Sequence, residues 1–145
     1  MAPQQTVEAN YGPLADTRTL FTLERAQSAL PYVSRVVVDV RETYARIVAL
    51  RRELESAPNA ETATELESAY AASMDRLGDL VDELHAVGVE LRDFERGEVD
   101  FPARSLDGEI SLCWDPEQPS IAHWRDDEPG ARTRPIATMP DLLAA

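Results

Sequence analysis

The stretch that decides the fold, residues 22–54, reads TLERAQSALPYVSRVVVDVRETYARIVALRREL. Its apolar residues recur at alternating spacings of three and four, which places them on one narrow stripe of an α-helix. The stripe contains Leu23, Ala26, Leu30, Val33, Val37, Val40, Tyr44, Ile47 and Leu54, with Arg51 as its one interruption. The valines around Val37 favour a strand locally, but the periodicity of the whole stretch favours a helix.

Local signals mark where this helix begins and where it should bend. Thr22 is a good N-cap, and Glu24 places a negative charge in the first turn, where the helix dipole favours it. Pro31 lacks a backbone donor, so we expect it to kink the helix or to end a first short helix near Leu30.

A second helix is predicted after the loop at residues 56–59. Asn59 can cap this helix, and Gly88 is placed to end it. Its apolar stripe contains Leu66, Tyr70, Met74, Leu77, Val81 and Leu84. Because a short loop makes two long helices antiparallel neighbours, residues 22–87 are predicted to form a helical hairpin.

Charge is distributed unevenly between the two predicted helices. Residues 23–58 hold five acidic residues and six arginines, whereas residues 59–87 hold seven acidic residues and one arginine. Ion pairs across the hairpin would contribute about 0–1 kcal/mol each, enough to favour an orientation, and the alternative is that both faces are simply solvated. The expected partners are Arg46, Arg51 and Arg52 on the first helix and Glu61, Glu65 and Glu67 on the second.

Two helices cannot enclose their apolar stripes by themselves. Helices of about 30 residues would each be ~45 Å long, which exceeds what the roughly 50 residues after Gly88 could cover. We therefore expect self-association through the hairpin, as a homodimer or higher oligomer with a four-helix bundle. A long bent hairpin stabilised by its own chain is the alternative.

After Gly88 the apolar pattern changes to alternation, which predicts strands at 89–92, 98–102, 109–114 and 120–124. Asp107-Gly108 is a hairpin-turn pair. The fold class is therefore α+β, a long antiparallel helical hairpin followed by a small antiparallel β-meander. The predicted organisation is a flexible N-terminal arm at 1–20, a single domain at 21–136 with its β module at 88–136, and a C-terminal tail at 137–145.

Composition excludes several functional classes. The 145 residues include 27 acidic residues and 14 basic ones, all arginine, for a net charge of −13, and 43 % of the residues are apolar. That apolar share excludes wholesale disorder, and the acidity argues against a nucleic-acid-binding protein. A single cysteine excludes an internal disulfide and a multi-cysteine zinc site. We see no export signal and no apolar run of membrane-spanning length, and we therefore expect a cytoplasmic protein without a membrane partner.

Cys113 and His123 lie on adjacent predicted strands, so their side chains could meet across the ladder. They would form a thiol–imidazole pair or, together with Asp100, a metal site. Alternation places Cys113 on the face opposite to Leu112 and Trp114, which we expect to be the wetter face. The alternative is a small buried cysteine and an unrelated surface histidine.

An aromatic and arginine set is the second candidate site. Phe101, Trp114, Trp124 and Arg134, with Asp100, could line a recognition surface for a peptide, an anionic ligand or a partner protein. The alternative is that the rings form the small core of the β module, with Arg134 stacked on a ring or paired to Asp100.

Two further groups have a weaker metal-ligand pattern. Asp82 and His85 are spaced as in half of a diiron motif, but the first helix has no histidine, and a partly buried helix histidine is the simpler interpretation. The second group is a cluster of four acidic residues within eight positions. It lacks the spacing of an EF-hand, so a turn solvated by its charges is the simpler interpretation. It comprises Asp93, Glu95, Glu98 and Asp100.

Several short motifs occur in one order across residues 20–136. They are Phe21-Thr22-Leu23-Glu24, Leu30-Pro31, Val99-Asp100-Phe101-Pro102-Ala103, Leu112-Cys113-Trp114, Ile121 with Trp124, Gly130, and Arg134-Pro135-Ile136. In these motifs the chain resembles the domain of unknown function 2203 family of uncharacterised bacterial proteins. The resemblance implies a helical hairpin leading into a small sheet, and it implies no activity. Family members often have a histidine directly after the tryptophan that matches Trp124, whereas this chain has Arg125 there.

The functional expectation from these observations is a non-enzymatic interaction or scaffold protein without a cofactor. The hairpin would serve self-association, and the β module would bind an unknown protein partner. The alternative is a small-ligand- or metal-binding protein, or an enzyme, with its site around Asp100, Cys113 and His123.

Overall fold

The computed structural model describes residues 19–143 as two helices followed by a five-stranded antiparallel sheet. The helices are α1 (Leu23–Glu55) and α2 (Ala60–Ala86), and a 3-10 turn spans Ile136–Thr138. The strands are β1 (Glu90–Asp93), β2 (Glu98–Ser105), β3 (Gly108–Trp114), β4 (His123–Asp126) and β5 (Arg134–Pro135), which are neighbours in chain order. The predicted α+β fold, a helical hairpin followed by a meander, is confirmed. The predicted arm at 1–20 lies outside the described residues, apart from Thr19 and Leu20.

Helix α1 is continuous over its whole length. The Thr22 side chain accepts a hydrogen bond from the Arg25 amide at 3.2 Å, as expected for the N-cap. Pro31 lies inside the helix, on its exposed side, so of its two expected effects the end of a short helix near Leu30 does not occur. Burial of Leu30 and Val33 on either side of the proline holds the helix together despite the lost backbone donor.

Helix α2 faces α1 with a stripe slightly different from the predicted one. Met74, predicted to be buried, is 45 % exposed, and Ser73 is buried in its place. Two successive steps of four residues, from Leu66 to Met74, exceed two turns of 3.6 residues and rotate the stripe around the helix. Leu77 and Leu84 return to the buried face as predicted.

Polar contacts between the helices differ from the predicted ion pairs. In the described part of the chain, the helices are joined by one ion pair, Arg76 to Asp39 at 3.6 Å, in which the arginine lies on α2. Arg51 instead donates to the Tyr70 hydroxyl at 3.3 Å, so the expected arginine–glutamate pairs are wrong. Within residues 19–143, neither helix combines the length and the apolar character needed to cross a membrane.

The inner face of the sheet packs against the hairpin. In the register of the ladders, Phe101 faces Leu112 and Leu112 faces Trp124, and all three side chains are buried. The Phe21 ring meets Phe101 edge to face at 5.1 Å between centroids. The helix residues in the same core include Val33, Val37, Leu80 and Leu84. One apolar core therefore joins the two helices to the sheet.

The outer edge of β2 is covered by three segments in succession. Strand β1 pairs with residues 98–100, the Phe21 amide donates to the Pro102 carbonyl at 2.7 Å, and the Leu143 amide donates to the Arg104 carbonyl at 2.8 Å. Residues predicted as a C-terminal tail thus lie along the sheet, which leaves less of its edge open. Pro102 is tolerated because a proline can occupy an edge position where no donor is needed.

The turn between β1 and β2 lies against the middle of α1. Gly97 has φ +75°, and a Cβ at this position would lie 2.6 Å from Cγ1 of Val37. The Arg41 side chain donates to the Glu95 carbonyl at 2.9 Å, next to the turn. This close approach requires glycine and fixes the position of the sheet along the helix.

Candidate functional site

A row of polar residues crosses the outer face of the sheet, opposite to the helices. Asp100 on β2 faces Cys113 on β3, and Cys113 faces His123 on β4. Directly facing residues of antiparallel strands point to the same side of the sheet. The structure therefore brings together the three residues that the sequence analysis placed in one site.

Asp100 is the most buried member of this row, with 4 % of its surface exposed. Its Oδ2 accepts hydrogen bonds from Arg125 at 2.5 Å and from Arg92 at 3.1 Å. Its Oδ1 is buried and has no hydrogen-bond partner in the described structure, and the Nε of Arg125 is in the same condition. A buried carboxylate oxygen without a strong donor is costly, and the neighbouring Cys113 thiol is only a weak donor to Asp100, so the acceptor capacity of this carboxylate is not fully used.

Cys113 lies beside this carboxylate and is 9 % exposed, so the expectation that it sits on a wet face is wrong. Residues of the loop after β3 and Thr133 line the same space. Burial, and then the charge of Asp100, raise the pKa of the thiol to about 11, against the opposing effect of Arg125 and Arg92. Cys113 is therefore a protonated thiol at neutral pH and is not activated as a nucleophile.

His123 is oriented by a short chain of hydrogen bonds. Its Nδ1 lies 3.2 Å from Oε1 of Gln118, and Nε2 of the same glutamine donates to Oδ2 of Asp115 at 3.0 Å. Because the glutamine oxygen can only accept, the neutral tautomer that fits this chain carries its proton on Nδ1 and has Nε2 as the acceptor.

These side chains line a cavity of about 220 Å³. Its charged lining consists of three carboxylates, those of Glu98, Asp100 and Asp115, and one guanidinium, that of Arg92. Burial is the largest single influence on the pKa of Arg92 and would lower it. The negative charge of Asp100 and the hydrogen bond to it together outweigh burial, so this pKa is raised. Arg125 also pairs with Asp100, and Arg96 pairs with Glu98 at 3.4 Å, so the fixed charges around the cavity balance while unused acceptors remain.

The aromatic residues of the second candidate site belong to the core. Phe101, Trp114 and Trp124 are all buried, and the indole nitrogens of the two tryptophans donate to the Gln118 carbonyl and the Thr138 hydroxyl. The rings therefore present little surface to a partner.

Arg134 does not reach Asp100. Its guanidinium lies 5.2 Å from the ring centroid of Trp124 and pairs with Asp126 at 3.3 Å. Of the two contacts expected for Arg134 within a core, the stacking on a ring is present, whereas the pairing to Asp100 is replaced by that of Arg92 and Arg125.

The two groups with a weaker metal-ligand pattern do not form a metal site. Within residues 19–143, no group of three or more His, Cys, Asp and Glu residues is placed to hold a metal ion. Asp93 accepts from the Arg96 amide within the β1–β2 turn, as in a turn stabilised by its own side chains. His85, expected to be partly buried, is exposed in the last turn of α2.

Arg92, Arg125 and Gln118 are site residues that the sequence analysis missed. Alternation from His123 would have placed Arg125 on the outer face, because the two residues are two positions apart on β4. Arg92 lies at an irregularity in the pairing of β1 with β2, between Leu91 and Asp93. No local signal predicts that irregularity or the contact with Asp100 that it permits.

The family model of an uncharacterized conserved protein, DUF2203, matches residues 19–136. The matched range contains both helices and the five strands of the described structure. No curated protein and no solved structure matches the chain.

Proposed function

We propose that this chain, which belongs to the DUF2203 family, is a binding protein for a small organic cation at the outer face of its sheet. The observation that carries the proposal is Asp100, a residue that lines the cavity and whose buried Oδ1 lacks a hydrogen-bond partner among the described residues. A ligand that donates a hydrogen bond to Oδ1 would remove the cost of leaving this acceptor unpaired.

The acceptors of the cavity favour a protonated amine as that donor. Two further carboxylates line the cavity: Asp115, and Glu98, which pairs with Arg96 at 3.4 Å. The lining guanidinium, Arg92, already donates its Nε to Asp100. An ammonium group has three donors and no acceptor, which complements a lining rich in acceptors. An anion of the same size would meet three carboxylates, so we expect the cavity to reject it.

Ligand binding accounts for the polar row of Asp100, Cys113 and His123 better than nucleophilic catalysis does. With a thiol pKa of about 11, Cys113 stays neutral at physiological pH and can form part of the cavity wall without adding charge. His123 also lines the cavity, and its neutral tautomer with a proton on Nδ1 has an acceptor nitrogen for a donor on the ligand. We keep the cytoplasm as the proposed location, where a single free thiol stays reduced.

Three ligands of equal chain length and different charge test the proposal. Isothermal titration calorimetry with butylamine, butanol and butyrate should give measurable binding for butylamine alone, because only the ammonium both carries charge and donates three hydrogen bonds. Preferential binding of butyrate, or equal responses to butylamine and butanol, would overturn the assignment to a cation.

A matched pair of variants connects that binding to the cavity. Glu98→Gln removes a lining carboxylate, whereas Glu117→Gln removes an exposed one that does not line the cavity. Since a partly exposed charge pair contributes up to about 1 kcal/mol, Glu98→Gln should raise the Kd for butylamine about two- to fivefold. Glu117→Gln should leave the Kd unchanged, and equal effects of the two variants would place the amine elsewhere.

A second candidate function is that of a homo-oligomeric interaction protein. The observation that favours it is an uncovered face of α1, where Val38 is 43 % exposed and Ala45 and Ala49 are also exposed. A groove of about 800 Å³ runs along this face. Size-exclusion chromatography with light scattering, at tens of micromolar, should give twice the 16.1 kDa mass of one chain. A monomer under those conditions would remove this candidate.

A further inference from the structure

We infer that two copies of the chain pair through their α1 helices, antiparallel, with Glu42 of one copy opposite Arg52 of the other. The inference rests on the second proposed function, self-association, and it names the surface and the register. It begins with five exposed residues on α1 that neither α2 nor the sheet covers. They are Val38, Glu42, Ala45, Ala49 and Arg52.

The spacing of these five residues is that of a helix-pairing face. Successive members are four, three, four and three residues apart, the alternation that keeps one stripe facing a partner helix in a left-handed coiled coil. The two alanines stand at its centre, where small side chains let a second helix approach closely. The stripe is separate from the buried one, which contains Val33, Val37, Val40 and Ile47 and faces the chain's own core.

Charge complementarity selects a second copy as the occupant and sets its register. In an antiparallel pair centred at position 47, Glu42 faces Arg52, Ala45 faces Ala49, and Arg41 faces Glu53. The two-fold symmetry of such a pair repeats each contact. Four pairs of opposite charge would therefore surround a centre made of alanines.

Other registers lose this match. Sliding one helix by seven residues in one direction places Arg35 opposite Arg52, which sets like charges against each other. Sliding it in the other direction places Glu42 beyond the end of the partner helix at Glu55. The register with Glu42 opposite Arg52 is therefore the one that keeps both charge pairs.

The rest of the molecule directs association to this face. Each copy carries a net charge of −13, so two copies repel over most of their surface. The α1 face and its groove carry two arginines, Arg41 and Arg52, and two glutamates, Glu42 and Glu95. The groove is therefore neutral, and it has room for apolar side chains of a second copy.

Charge exchange tests the register. Sedimentation velocity should show a dimer for the wild type, and Glu42→Arg or Arg52→Glu alone should raise the dimer Kd by about tenfold or more because each sets two like-charge pairs together. The double variant E42R/R52E should restore the dimer. Glu65→Arg, an exposed charge reversal on α2, is the control and should leave the Kd unchanged.

The outcomes separate two failures. A monomeric wild type would overturn both self-association and this register. A dimer that survives both single variants, or a double variant that stays monomeric, would overturn the register and leave self-association standing. Since residues 42 and 52 are exposed, the variants should have the circular dichroism spectrum of the wild type. An unchanged spectrum shows that loss of the dimer comes from the altered surface and not from unfolding.

Discussion

The two faces of the sheet are both buried but for opposite reasons. On the inner face Phe101 is fully buried among apolar side chains, and on the outer face its neighbour Asp100 is 4 % exposed among charged and polar groups. Burial of the first removes apolar area from water and stabilises the fold. Burial of the second leaves Oδ1 without a partner and costs stability. The two residues are about equally buried, but the apolar one belongs to the core and the charged one marks a candidate binding site.

The largest expected effect is at the centre of the inner face. Phe101→Ala should lower the free energy of unfolding by about 3–5 kcal/mol, because it removes a buried ring from the contact with Phe21 and leaves a cavity. Urea denaturation measures the loss. The control is Leu106→Ala, at a side chain 71 % exposed, which should change stability by less than about 0.5 kcal/mol. Similar losses for the two variants would contradict the assignment of the inner face as the core.

On the outer face, Asp100→Asn should cost about 3 kcal/mol, because it keeps the shape and leaves Arg125 buried without its counter-charge. The double variant Asp100→Asn with Arg125→Met should recover part of the loss, since it also removes the stranded cation. Denaturant unfolding of both variants provides the comparison. A double variant less stable than the single one would mean that Arg125 stabilises the fold without Asp100.

A smaller effect depends on pH. The pKa of Cys113 rises from 9.0 to about 11 on folding, mainly because of burial. The folded state therefore holds its proton where the unfolded state releases it, so this contribution to stability is fully present below pH 9.0 and declines as pH rises to about 11. The difference in unfolding free energy between wild type and Cys113→Ser should shrink over that interval. A difference that is constant with pH would mean that the thiol titrates normally.

The smallest effect is expected at the sheet edge, where Arg134 lies over Trp124. Arg134→Ala should cost less than about 1 kcal/mol, because the guanidinium is more than half exposed and its partner Asp126 is also exposed. Thermal unfolding measures the change. A loss as large as that of Phe101→Ala would show that the edge is part of the core.

The sequence predicted the inner face well and the outer face only in part. Alternation places Leu112 and Trp114 on one side of β3 and Cys113 on the other, and the ladders confirm the neighbours Asp100 and His123. The burial of Cys113 could not be predicted from alternation, because residues outside the strands, among them Asp115 and Gln118 of the following loop, line the space beside it. Local periodicity indicates on which face of the sheet a residue lies, whereas its burial depends on which other parts of the chain pack over that face.

The same distinction explains the errors in the hairpin. The α1 stripe follows strict spacing and is buried from Ala26 to Ile47 with few exceptions. In α2 the spacing drifts, so Ser73 replaced Met74 at the interface. Whether the predicted ion pairs form depends on the length of the side chains and on how the hairpin loop offsets one helix along the other. A count of charges per helix gives neither. Arg51 accordingly met the Tyr70 hydroxyl in place of a glutamate.

The most direct test of the outer face as a binding site is a crystal structure of the chain grown with butylamine. The account predicts density for the amine in the cavity, with its nitrogen within hydrogen-bond distance of Oδ1 of Asp100 and near Glu98. Density for the amine only at other surfaces, or a water molecule paired to Oδ1 with the amine present at saturating concentration, would contradict it.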